Sequence, residues 1–72
     1  MDVRKVKFHV GERIRIAREA NGMTQRQLAA APGVSSSSQQ IGKYELGRQD
    51  MTITKLYRLA AALQVDPKTL LP

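Results

Sequence analysis

The chain has 72 residues, no cysteine and one histidine, His9, which leaves room for a single small domain and excludes a disulfide framework, a thiolate metal site or a histidine cluster. At 42% hydrophobic and 25% charged residues it reads as globular, and no apolar run approaches the roughly 20 residues of a membrane span, nor is a signal peptide visible. Twelve Lys and Arg against six Asp and Glu leave a net charge of +6, the electrostatic footprint of a polyanion binder, although basic residues also serve plain solubility.

Residues 1–9 are taken as an N-terminal arm and residues 10–72 as the domain proper. In "MDVRKVKFHV" the basic residues Arg4, Lys5 and Lys7 alternate with Val6, Phe8 and Val10, a weak strand signal that a basic arm fits equally well. The first helix is expected over residues 11–21. Val10, Ile14 and Ala17 share a face, Arg15 and Glu19 stand i,i+4, and Asn21-Gly22 marks the stop. Thr24-x-x-Gln27 has the spacing of a capping box and opens a second helix through Leu28 and the alanines Ala29 to Ala31, which Pro32 ends. A third helix runs from about Ser37 to Leu46, with Ser37-x-x-Gln40 as its best capping box, Ile41, Tyr44 and Glu45 on one side and Gly47 as its stop. Thr52 caps a fourth helix with a core face of Leu56, Leu59, Ala60 and Leu63. Asp66-Pro67 starts a short fifth, after which Leu70 and Leu71 are expected to close the core. The fold class is therefore all-α: five short helices joined by tight turns.

"GMTQRQLAAAPGVS", followed by "IGKYELG" and "TKLYRLAAALQVDPKTLL", resembles the helix-turn-helix family of phage repressors and Cro proteins, the xenobiotic-response-element-like regulators. The resemblance covers about residues 10–71. Its most specific part is Thr24-Gln25-x-x-Leu28-Ala29, then Gly33-Val34-Ser35, then Tyr44 to Gly47. It implies a repressor-like fold with the helix-turn-helix at the second and third helices. Leu28, Val34, Ile41, Leu56, Leu59 and Leu63 are the bulky residues expected to lock it, each worth roughly 1.5–3 kcal/mol when fully buried, before entropy. Arg18 and Glu45 match a charged pair that in this family joins the first helix to the end of the third.

What the resemblance implies for DNA is carried over position by position. The base-facing positions fall on Ser37, Ser38 and Gln39, with Gln40 beside them and Lys43 one turn beyond Gln39. Glutamine suits a bidentate pair with adenine and lysine favours guanine acceptors, whereas serine discriminates little. Gln25, at the start of the second helix, is placed for a phosphate, as are Arg26, Arg48 and, less strongly, Lys55. One departure is plain. The isoleucine of the third helix usually follows the turn glycine by six residues, whereas Gly33 and Ile41 are eight apart. The extra pair falls in the serine run. A longer turn is favoured over a longer helix, because serine clusters prefer turns and caps.

The expected function is a sequence-specific regulator, a repressor by preference, bound as a homodimer to a palindromic double-stranded DNA operator. The alternative is an antitoxin-like module whose main partner is a protein toxin, with DNA binding secondary. An enzyme is the poorest reading: no cysteine, paired carboxylates or glycine-rich phosphate loop accompanies the serine run. No cofactor or metal is expected. The expected compartment is the cytoplasm, at the nucleoid when bound to DNA, and the expected dimer surface is the fifth helix with Leu70 and Leu71.

Overall fold

The computed structural model describes residues 2–72, and every regular element among them is helical. Helix α1 spans Val3–Ala20, α2 Gln25–Ala29, α3 Ser38–Glu45 and α4 Ile53–Leu63; a 3-10 turn follows at Pro67–Leu70. There are thus four α-helices rather than five. Asp66 does cap the last element through Lys68 N, with Pro67 in its first turn. However, its hydrogen bonds, Thr69 N to Asp66 O and Leu71 N to Lys68 O, are of the i to i−3 kind, and the chain is extended again at Leu71. Leu70 is consequently buried while Leu71 stays 45% exposed, so only one of the two terminal leucines closes the core.

Among the described residues the N-terminal stretch carries no strand. α1 reaches back to Val3, where the Asp2 carboxylate accepts a hydrogen bond from Arg4 N at 2.9 Å. The alternation of Val6, Phe8 and Val10 is outweighed by a helical register. Val3, Val6, Val10, Ile14 and Ala17 recur every three or four residues along one side of a single long helix. α2 is shorter than expected. It ends at Ala29 rather than Ala31, since Pro32 disfavours helical angles in the residue before it.

Ile14, Leu28, Val34, Ile41, Leu59, Leu63 and Leu70 form the fully buried centre, with Leu56 and Tyr44 at its edge. Every helix supplies at least one of these, so the core fixes the helices against each other. α1 and α3 approach with no room for a side chain between them. A Cβ on Gly11 would stand 2.3 Å from Tyr44 O and 2.7 Å from Glu45 O. Gly11 thereby seats the C-terminal turn of α3 directly on the α1 backbone.

Candidate nucleic-acid interface

α3 buries Ile41, Tyr44 and Glu45 and turns Gln39 and Lys43, one turn apart, outward. Its N-cap is Ser37, whose hydroxyl accepts from Gln40 N at 3.2 Å. The reciprocal half of the expected capping box is missing. The Gln40 side chain reaches back to Ser35 instead, with Oγ to Oε1 at 2.5 Å, and Ser37 N donates to Ser35 Oγ at 3.1 Å. Ser35 thus braces both the cap and the first turn of α3. The chain from Ala30 to Ser37 lies outside any helix, and Ile41 follows the cap by four residues. The extra pair of residues therefore lengthens the turn and leaves α3 its length.

This geometry divides the base-facing candidates. Ser37 and Gln40 spend side-chain groups inside the turn. Ser38, Gln39 and Lys43 make no side-chain hydrogen bond among the described residues, and Gln39 and Lys43 are exposed.

α2 is fastened by a complete capping box: Gln27 N donates to Thr24 Oγ1 at 3.0 Å and Thr24 N to Gln27 Oε1 at 2.8 Å. The next residue, Gln25, lies against α3 and donates from Nε2 to Glu45 Oε1 at 3.1 Å. Glu45 also accepts from Arg18, with Nε to Oε2 at 2.6 Å and Nη2 to Oε1 at 3.2 Å, while Arg18 Nη1 donates to Met23 O at 2.8 Å. The hydrogen bonding to Glu45 raises the pKa of the Arg18 guanidinium further above its ordinary value. One almost fully buried carboxylate therefore ties α1, the start of α2 and the end of α3 together, leaving Gln25 with its amide oxygen and a second N–H to offer elsewhere.

The charge distribution follows from the same pairing. Asp2, Glu12, Glu19, Asp50 and Asp66 each have a basic partner within 4.0 Å, on α1 or in the 3-10 turn. Between Asn21 and Gln49 the one carboxylate is Glu45, neutralised by Arg18. Arg26, Lys43 and Arg48 in this segment are exposed and have no acidic partner among the described residues. The positive charge of this segment is thus unopposed by any acidic partner among the described residues. A shallow groove runs there between Arg26 and Ala30 on one side and residues 35–39 on the other.

Lys55 is placed differently from the other basic candidates. Its ammonium donates to Gly33 O at 3.2 Å and to Val34 O, both carbonyls of the long turn. Gly33, at φ +71, is covered by Arg58: a Cβ there would stand 2.5 Å from Arg58 Nη1. Sequence reasoning missed the roles of Arg58, Ser35 and Gly11. The i,i+3 spacing of Lys55 and Arg58 was the available signal for the first; nothing local marked the other two.

The model of the helix-turn-helix family matches residues 14–70. An uncharacterized transcriptional regulator in the ATPase CF(0) region of Rhodospirillum rubrum is 44% identical over 63 residues, 88% of this chain and 56% of that protein. The chain spans about half the length of the curated relatives it matches. Among solved structures, the restriction-modification controller protein C.AhdI from Aeromonas hydrophila superposes with a TM-score of 0.86 at 28% identity, over 97% of this chain and 99% of that one. Hydroxypropylphosphonic acid epoxidase from S. wedmorenis also superposes, with a TM-score of 0.82 at 25% identity, over 93% of this chain but only 35% of the epoxidase. The fold thus recurs as one part of an enzyme, and the likeness of that part carries no catalytic role over to this chain. These matches lend no support to an antitoxin-like protein-binding module.

Proposed function

This chain belongs to the helix-turn-helix family of transcriptional regulators, and on that premise we propose that it is a repressor that binds a palindromic DNA operator as a homodimer and reads the major groove with α3. The observation that carries this reading is that Gln39 and Lys43 stand exposed one turn apart on α3, with Arg26 beside Gln39 along one groove and Arg48 exposed just after the helix, and that none of the three basic groups has an acidic partner among the described residues. Gln39 pairs with an adenine edge, and Lys43 takes guanine acceptors or an adjacent phosphate. Ser38 contacts a base edge with little discrimination. Ser37 and Gln40 chiefly set the angle of the helix, because the Ser37 hydroxyl and Gln40 Oε1 are engaged in the turn, although the Gln40 amide N–H groups stay free. Gln25, Arg26 and Arg48 hold phosphates and fix the register.

A second copy docks on an apolar face where exposed Ile53 and Leu71 stand beside half-buried Val6. That face takes nothing from α2 or α3, so dimerisation there leaves both recognition helices free. Leu70 drops out of the expected dimer surface, since it is buried within the protomer.

Binding of labelled duplexes tests the assignments. Gln39→Ala should cost about 1–3 kcal/mol on the preferred duplex and relax specificity at one base pair, whereas Arg26→Ala should weaken all duplexes alike and lower the salt slope by about 1. An equal loss on every sequence for Gln39→Ala would make Gln39 a backbone contact and remove the main evidence for base reading.

A further inference from the structure

We infer that Lys55 is a positioning residue, with Arg58 beside it: its ammonium closes the carbonyl side of the long turn and so sets α3 at the angle for specific DNA binding. This rests on the DNA-binding reading above. The turn between α2 and α3 leaves two acceptors to satisfy. Its carbonyls at Gly33 and Val34 receive no backbone N–H among the described residues, and an unpaired acceptor beside the core is costly. Lys55 Nζ donates to both. Val34, next in line, is 1% exposed and plugs the turn into the core. On its other side the turn is braced by Ser35, so the segment is held from α4 and from α3 at once. Arg58, one helical turn after Lys55, lies across Gly33, whose φ of +71 itself favours glycine. An ammonium committed to two carbonyls in this way has few donors left for a phosphate.

The two roles separate experimentally. A phosphate contact contributes equally on any sequence and adds about 0.9 to the salt slope. A positioning residue acts only where α3 must meet base edges. Lys55→Met and Lys55→Gln are compared with the unaltered protein on its preferred duplex and on a scrambled one, over a salt series, well below each variant's melting temperature. Lys55→Gln is included because it removes the charge but keeps an N–H for one carbonyl, so it folds more readily. The expected result is a tenfold or greater loss for Lys55→Met on the preferred duplex, little change on the scrambled one and an unchanged salt slope, with Lys55→Gln recovering part of the loss. Equal losses on both duplexes with a shallower slope would make Lys55 a phosphate contact. Unchanged binding by both variants, with only a lower melting temperature, would reduce it to a stability element; either outcome overturns the inference. If the unaltered protein prefers no duplex, the DNA-binding reading itself fails, and this inference with it.

Discussion

Arg18 and Glu45 show how much a single pair settles in a domain of this size. The carboxylate is almost fully buried and has two partners, Arg18 and Gln25. Removing Arg18 strands it with one neutral amide, and breaking a buried pair in this way costs about 3–5 kcal/mol. Small domains hold only about 5–15 kcal/mol in total. Arg18→Ala should therefore lower the thermal midpoint steeply in a circular-dichroism melt, and a shift worth less than about 1 kcal/mol would place the pair among ordinary surface bridges. Tyr44 makes a separate prediction. Burial pushes its phenol above the usual 10.0, so the folded state holds that proton more tightly than the unfolded chain does. Its contribution is complete below the unfolded value and is lost as pH rises through the folded one. Tyr44→Phe should accordingly flatten the fall in stability above about pH 10, and an unchanged fall would assign the alkaline loss to other groups.

Among the elements, the turn between α2 and α3 separates this chain from the shorter pattern it resembles. Deleting Ser36 and Ser37 would move Ser35 to the position four residues before Ile41, where it can replace the lost cap. The deleted protein should still unfold cooperatively, with a loss of about 1–2 kcal/mol, the scale of one helix cap. Collapse of the helical signal would mean that the short α2, ended by Pro32, requires the long turn. Much of this element structure was legible in the sequence. Thr24, Ser37, Thr52 and Asp66 all cap where capping chemistry places them, because a cap is a local event. The start of α1 was not legible. In Val6, Phe8 and Val10 the period-two and helical readings overlap, and the deciding partners, Ile14 and Ala17, lie outside so short a window. The last helix was overcounted because a cap and a proline announce a helix without fixing its length. Within the site, Gln39 and Lys43 are what the family resemblance implies, and helix periodicity agrees, since both face away from Ile41 and Tyr44. The engagement of Gln40 with Ser35 and of Lys55 with the turn carbonyls did not, because both depend on how the long turn folds back. Gly11 was invisible for the same reason: its significance is the backbone of α3 lying against it.

At the scale of the whole molecule, shape and charge point to one mode of action. The longest extent of the described chain is 32 Å, and on the proposed reading a single helix, α3, enters the groove. Successive major-groove faces are about 34 Å apart, so reading two half-sites takes two copies related by a two-fold axis. The apolar face at Ile53 and Leu71 lies away from α2 and α3, as such a pairing needs. Selection of bound sequences from a random duplex pool at near-physiological salt tests this account most directly, because it reads base recognition and dimer symmetry together. Enrichment of an inverted repeat is expected, with half-site centres about one helical turn apart and an adenine preference that Gln39→Ala abolishes. A pool that remains random through successive rounds, with weak binding that fades alike on every sequence as salt rises, would contradict it.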